Sequence, residues 1–111
     1  MITRIFLFAL IAAAFSGCLR NDVEDGTPDC IIGKIREHKK QGCDDQKVEQ
    51  YQFQGKYVFV FGPGTCGADM QSDVYDENCN LLGSLGGITG NMSINGADFS
   101  SAVFVSLVWE Q

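Results

Sequence analysis

The stretch Tyr51-Gln-Phe-Gln-Gly-Lys-Tyr-Val-Phe-Val-Phe61 decides the fold, because its apolar residues alternate with a period of two around a polar turn. In the first half, Tyr51 and Phe53 share one face of the strand. In the second half, the aromatic residues lie on one face and the valines on the other. This pattern predicts a β-hairpin with strands over residues 48–53 and 57–61 and with aromatic cross-strand pairs.

The segment before the hairpin carries the signals of a helix. Thr27 is a good N-cap, Pro28 suits the first helical position, and Gly42 is a natural stop. An apolar stripe at helical spacing lies between them, formed by Ile31, Ile32 and Ile35. We predict one helix over residues 28–41.

The segment after the hairpin predicts further strands. Residues 71–76 and a segment that begins at Leu81 have strand character, and the Gly-rich residues 83–98 are expected to form a long loop. Residues 102–109 are apolar nearly throughout, which favours a central strand or one covered on both faces. One N-terminal helix packed on an antiparallel sheet of about four to five strands makes a single α+β domain over residues 27–111.

The charge pattern excludes a nucleic-acid partner. The 111 residues include 8 Lys and Arg against 14 Asp and Glu, and the basic residues form no patch that could follow a phosphate backbone. His38 is the only imidazole, and we expect it to be solvated beside Lys39 and Lys40. The carboxylate pairs Asp44-Asp45 and Asp76-Glu77 lie in turns. We therefore predict no catalytic residue and no enzymatic activity.

The N-terminal segment is typical of export. Arg4 precedes an apolar run over residues 5–15, which is shorter than the ~20 residues that span a bilayer but has the length of a secretory signal. The run ends in Phe15-Ser-Gly-Cys18, which resembles the lipobox of bacterial lipoproteins. The resemblance implies a signal peptide over residues 1–17, cleavage before Cys18, and acyl chains on the Cys18 thiol and amino group.

The same resemblance predicts where the chain is anchored. Leu19 stands where an Asp often marks retention in the inner membrane, so the resemblance implies the outer membrane of the cell envelope. Residues 18–26 are expected to form a flexible acidic tether; their acids also resemble a surface-export signal, although a solvated linker explains them equally well. The mature chain carries 7 basic and 14 acidic residues, a net charge of −7 that repels an anionic membrane. We expect membrane contact through the acyl chains alone.

Four cysteines remain after Cys18, and an even number in an exported chain predicts disulfides. A helix over 28–41 would separate Cys30 from Cys43 by ~18–20 Å, whereas a bridge needs Cα atoms within ~7 Å. The alternating strand directions instead predict the pairs Cys43–Cys66 and Cys30–Cys79. No two of these cysteines are closer than thirteen residues, which disfavours zinc, so we predict no metal and no cofactor.

The mature chain is similar to a family of small, uncharacterised bacterial lipoproteins that contain cysteines. The similarity covers residues 30–110 and is carried by four motifs in a fixed order: Tyr51-Gln-Phe-Gln-Gly-Lys-Tyr-Val-Phe59, Val74-Tyr-Asp-Glu-Asn-Cys-Asn80, Gly86-Gly-Ile-Thr-Gly90 and Leu107-Val-Trp-Glu110. The resemblance implies a cellular location and a fold. It implies no catalytic residue.

Two questions stay open in the sequence. Calcium could bind oxygen-bearing side chains that are otherwise explained as turn formers, namely Asp69, Asp73, Asp76, Glu77, Asn78, Asn91, Asn95 and Asp98. For function, we favour a lipid-anchored binding or interaction module with an unknown envelope partner. The alternatives are a structural or assembly accessory of the outer membrane and a small inhibitor of an envelope enzyme that uses the loop over residues 62–67.

Overall fold

The computed structural model describes residues 23–66 and 70–111, in which one helix packs on a five-stranded antiparallel sheet. The predicted α+β fold is confirmed. In chain order the elements are α1 (Asp29–Lys39), β1 (Lys47–Phe53), β2 (Lys56–Gly62), β3 (Gln71–Asp76), β4 (Leu81–Gly86), β5 (Ser93–Ile94), β6 (Ala97–Asp98) and β7 (Val103–Glu110). The order in the sheet is β4-β3-β2-β1-β7, and β5 pairs with β6 in a separate small hairpin.

The β1–β2 hairpin forms as the sequence predicts. Its register places Gln50 opposite Phe59 and Phe53 opposite Lys56. The two residues between the strands, Gln54 and Gly55, have φ angles of 53° and 79°, which is the left-handed geometry of a tight hairpin turn. This turn fixes the register, and with it the face on which every side chain of the central strands lies.

One core lies between the helix and the sheet. The apolar stripe of α1 supplies Ile31 and Ile35, which are 0% and 2% exposed. They pack against buried residues of the three strands beneath the helix, namely Val48, Phe59, Phe61, Val108 and Trp109. The helix therefore covers β1, β2 and the end of β7 and leaves the helix-side face of β3 and β4 less covered.

A second core covers the opposite face of the sheet, and here the prediction of a long loop over residues 83–98 is wrong. That stretch completes β4 and forms the β5–β6 hairpin, followed by a 3-10 turn over Phe99–Ser101. Ile94 and Phe99 are buried there against Phe53, Val58 and Val74. The hairpin covers the valine face of the sheet, which would otherwise be exposed to water, and the burial of apolar surface favours its formation.

The position expected for the last strand also needs correction. We predicted that residues 102–109 form a central strand or one covered on both faces, but β7 lies at the edge of the sheet and pairs with β1 alone. The register shift between Val48 and Glu49 inserts Val108 as an extra residue in β7, and both Val108 and Trp109 lie in the helix-side core. The residues before them stay exposed, with exposed fractions of 62% for Val103, 52% for Phe104, 44% for Val105 and 40% for Leu107.

Both predicted disulfides are confirmed. Cys30 is bonded to Cys79 across 6.1 Å between their Cα atoms, and Cys43 is bonded to Cys66 across 5.3 Å. One bridge holds the start of α1 to the turn after β3. The other holds the segment after α1 to the turn after β2, as the alternating strand directions require.

The chain before the helix contacts the domain. Val23 packs against the helix-side core, and the Glu24 amide donates a hydrogen bond to the Val108 carbonyl at 3.0 Å. Ser106 Oγ also donates to the Glu24 carboxylate at 2.6 Å. The structure thus places Val23 and Glu24, in the predicted tether, against the domain, whereas Cys18 lies outside the described residues. Within those residues, no helix has the length and apolarity needed to cross a membrane.

Candidate functional site

A polar cleft of about 310 Å³ opens where the helix stops covering the sheet. It lies between α1 and the helix-side face of β2 and β3. Lys34, Glu37 and His38 line the helix side, and Phe61, Asp73 and Tyr75 line the sheet side. The cleft combines an apolar floor with both signs of charge, which is a surface suited to a small polar ligand or a protruding side chain.

Tyr75 is the centre of this cleft. Its ring meets the Phe61 ring edge-on at 5.3 Å, and Lys34 Nζ lies 4.4 Å from the Tyr75 ring centroid, within cation–π range. Burial raises the pKa of the Tyr75 phenol, and the charge of Asp73 and a hydrogen bond to its carboxylate raise this pKa further. The phenol is therefore neutral near pH 7, and the Asp73 carboxylate is also held by Ser84 Oγ at 2.6 Å.

His38 is packed against the sheet, and the expectation that it is solvated is wrong. Its Nε2 lies 2.8 Å from the Gly62 carbonyl, so this nitrogen carries a proton and donates. The ring also meets Phe61 and Trp109 edge-on at 5.4 Å and 6.2 Å. The sequence contained this signal, because His38 follows Ile31 and Ile35 at helical spacing and so lies on their face. With a main-chain carbonyl as its polar partner, His38 joins α1 to β2 and does not form a nucleophile–base pair.

Gln46 is a buried polar residue that sequence reasoning did not single out. It is 0% exposed, and its Nε2 donates to the His38 carbonyl at 2.8 Å, which satisfies a carbonyl at the end of α1. Its Oε1 has no partner within the described residues. A lone Gln in a polar segment carries no periodic signal, so its burial follows only from the tertiary arrangement.

Two of the acidic residues considered for calcium, Asp76 and Asp98, form hydrogen bonds within turns. The Asp76 carboxylate accepts the amides of Asn78 and Asn80, each at 2.9 Å. The hydrogen bond from the Asn80 amide is the main reason that the pKa of Asp76 is lowered. Asp98 accepts the Ser100 amide at the 3-10 turn, and this bond lowers the pKa of its carboxyl.

Asn91, another residue considered for calcium, also forms hydrogen bonds within a turn. Asn91 donates from Nδ2 to the Ser84 and Ser93 carbonyls at 2.7 and 2.8 Å, so it too serves a turn. Across residues 23–66 and 70–111, no group of three or more His, Cys, Asp or Glu side chains could hold a metal ion. Asp69, one of the proposed oxygen ligands, lies outside these ranges.

The loop after β2 lies down against the chain. The Thr65 amide donates to the Asp44 carbonyl at 2.9 Å, and the Asp44 amide donates to Thr65 Oγ1 at 3.1 Å. Together with the Cys43–Cys66 bridge, these bonds hold residues 64–66 flat on residues 44–46. Residues 64–66 are exposed and are fixed by these contacts; Gly67, the last residue of the loop considered for an inhibitor, lies outside the described residues.

A second exposed feature is the outer edge of β7, which we call the β7 rim and define as Val103, Phe104, Val105 and Leu107. Among residues 23–66 and 70–111, the backbone of this stretch bonds to no strand other than β1. Such an edge presents free N–H and C=O groups in addition to its apolar side chains. The β7 rim therefore can meet a partner through both its backbone and its side chains.

The chain matches the model of a known protein family. Residues 34–111 match the family model described as a domain of unknown function, DUF6970. The chain belongs to this family. The matched region contains every strand of the sheet, most of α1 and three of the four bridged cysteines, so the cleft and the β7 rim both lie on the family domain. No curated protein and no solved structure matches the chain.

Proposed function

We propose that this protein is a lipid-anchored binding module of the bacterial cell envelope, held at the outer membrane through Cys18. The distribution of its five cysteines carries the proposal. Four of them tie the helix to the sheet in two bridges, a use of cysteine that belongs to oxidising compartments. The fifth stands alone at the end of the lipobox-like stretch.

The surface of the domain supports binding in preference to catalysis. The cleft around Tyr75 offers an aromatic floor with Lys34 and Asp73 beside it. The only imidazole is engaged with the Gly62 carbonyl, and Asp76 and Asp98 are engaged in turns. This arrangement can hold a partner, but it does not assemble a nucleophile, a base and an orienting group at one point.

The intact mass of the protein extracted from membranes tests the anchor. We expect a polypeptide that begins at Cys18, carries the mass of acyl chains, and lacks four protons because both bridges are formed. The variant Cys18→Ser should lose the acyl mass and, because cleavage before residue 18 depends on this cysteine, should keep residues 1–17. Cys18→Ser is also the matched control for folding, because it changes none of the bridged cysteines. A wild-type chain that retains Met1 and five free thiols would refute the proposal.

Capture of partners tests the binding role. Wild-type protein and the cleft variant Asp73→Ala, both with bridges intact, are compared for what they retain from solubilised outer membranes. Asp25→Ala removes an exposed carboxylate outside the cleft lining and serves as the matched control. We expect a component that the wild type and Asp25→Ala retain and that Asp73→Ala loses. Identical retention by all three would remove the cleft from the proposed function and favour an assembly role through another surface.

A further inference from the structure

We infer that the β7 rim is the surface by which the anchored domain rests on the membrane, and that it contacts the headgroup region of zwitterionic lipid. The inference rests on the proposed function, because it takes Cys18 as the anchor, and it replaces the expectation that the acyl chains alone contact the membrane. Two independent observations meet at this edge: the point where the chain leaves for the anchor, and a cluster of exposed apolar side chains.

The first observation is the attachment of residues 23 and 24. The Glu24 amide bonds to the Val108 carbonyl of β7, and Ser106 Oγ bonds to the Glu24 carboxylate. Val23 is therefore fixed beside β7, and it follows Cys18 by five residues. At no more than about 3.6 Å per residue, the Cα atom of Cys18 is within about 18 Å of the Cα atom of Val23. A tether of this length keeps β7 at the bilayer surface.

The second observation is the composition of the edge. Residues 102–109 contain no charged side chain, and the four residues of the β7 rim are 40–62% exposed. Exposed sheet edges normally carry Lys, Pro or inward-facing charge, and this one does not. Val103 lies opposite Gln52 and Phe104 opposite Tyr51, so successive side chains point to opposite faces of the sheet. A flat surface that meets the sheet edge-on contacts both sets.

The depth at which the β7 rim meets the bilayer, and the charge of the lipid that it contacts, follow from the same residues. The unpaired backbone of the rim cannot enter hydrocarbon, where each unsatisfied group costs several kcal/mol. The apolar side chains therefore lie at the boundary of headgroups and acyl chains, where water and headgroups satisfy the backbone. Glu24 and Glu110 flank the rim, and the mature chain has a net charge of −7, so an anionic surface repels this edge. The occupant is a zwitterionic surface.

Added tryptophans report this contact in the intact lipidated protein. Val105→Trp and Val103→Trp place an indole on the rim. Ile88→Trp is the matched control, since Ile88 is 85% exposed in the turn after β4, four strand spacings (about 19 Å) from β7. Each variant is reconstituted in phosphatidylcholine vesicles with or without brominated acyl chains. Trp109 is buried in every variant and provides a constant background.

We expect brominated lipid to remove about half of the added emission of both rim variants and to leave Ile88→Trp unchanged, and we expect phosphatidylglycerol to reduce the effect. Equal quenching of rim and control variants, in protein whose mass shows the acyl chains and both bridges, overturns this inference and leaves the anchor standing. A mass without acyl chains overturns both. Rim quenching that disappears as the protein-to-lipid ratio rises shows that a second copy covers the edge, and it also overturns the inference.

Discussion

At the scale of single residues, Gly64 and Gly33 differ in whether the structure has room for a Cβ atom. Gly64 has a φ of 64°, and a Cβ there would lie 2.7 Å from the Asp45 carbonyl carbon and the Gln46 amide nitrogen. Gly33 lies inside α1 with nothing within 4 Å of an added Cβ. The first residue must be glycine because the loop after β2 packs directly on backbone. At Gly33 no packing contact requires a glycine, and the backbone freedom of this residue in the unfolded chain lowers the stability of the helix.

We predict that Gly64→Ala lowers the free energy of unfolding by at least about 2 kcal/mol, because it adds left-handed strain to a clash with backbone. The matched variant Gly33→Ala should raise it by about 0.5–1 kcal/mol through lower backbone entropy in the unfolded chain. Urea unfolding of the oxidised protein measures both changes. Equal effects of the two substitutions would contradict the close approach at residue 64.

Asp76 gives the protein a specific acid sensitivity. Its pKa in the folded protein is lowered, first by the hydrogen bond from the Asn80 amide. A carboxyl whose pKa is lower in the folded state stabilises that state above its unfolded pKa of ~3.9, and this contribution is lost as the pH falls through the lower folded value. Because the carboxylate is exposed to solvent, the contribution is small.

We predict that Asp76→Asn lowers the free energy of unfolding at pH 7 by about 0.5–1 kcal/mol, because charge-assisted bonds to the turn amides are lost. The difference from wild type should shrink at a pH below the folded pKa of Asp76. Urea titrations at pH 7 and at acid pH measure this, with Glu77→Gln as the exposed neighbouring control. A difference that stays constant with pH would show that the Asp76 charge does not act through the turn.

At the scale of elements, the two disulfides restrain α1 from both ends. The Cys30–Cys79 bridge closes a loop with a sequence separation of 49 and the Cys43–Cys66 bridge one of 23. The longer loop removes more freedom from the unfolded chain, so the chain-entropy model assigns it the larger stabilisation.

We predict that replacing both Cys30 and Cys79 with Ala costs about 4 kcal/mol and replacing both Cys43 and Cys66 costs about 3.5 kcal/mol. Denaturant unfolding under non-reducing conditions measures the two double variants against wild type. If the second pair proves clearly more important than the first, native packing around buried Cys43, and not loop length, controls the stability.

The hairpin and the helix follow from local rules, the cysteine pairs follow from helix geometry and the alternating strand directions, and the sequence predicts all three. Residues 51–61 alternate with a period of two, and the geometry of α1 alone excludes a Cys30–Cys43 bridge. The position of β7 does not follow from local rules. An apolar run does not reveal whether sheet neighbours or solvent will meet it, and the register shift that inserts Val108 as an extra residue before Trp109 depends on pairing with β1.

The candidate site was predictable only in part for the same reason. His38 falls on the helix face of Ile31 and Ile35, so its packing was present in the spacing. The cleft could not be predicted from residue spacing. Lys34, Asp73 and Tyr75 come together because β3 follows β2 in the sheet order β3-β2-β1 and because the helix does not extend over β3. Gln46 carries no periodic signal at all.

At the scale of the whole molecule, the attachment of the N-terminal segment sets how the domain faces its surroundings. The Glu24 amide bonds to Val108 while Val23 packs on the core. We predict that the Glu24 amide exchanges with solvent deuterium more slowly than the amide of its exposed neighbour Asp25, because local opening must precede exchange. Exchange of both amides at the rate of an unstructured peptide would mean that the tether swings freely.

The bridges are nested: the partner of Cys30 is Cys79, and the partner of Cys43 lies between them in sequence. In a chain threaded through a membrane N-terminus first, Cys30 and Cys43 emerge together before either partner. An oxidant that acts before Cys66 and Cys79 emerge joins Cys30 to Cys43, and this bridge keeps the helix from forming. For the exported chain that we propose, maturation then depends on an isomerase that can reopen this wrong bridge, and strains lacking one should accumulate the mispaired form.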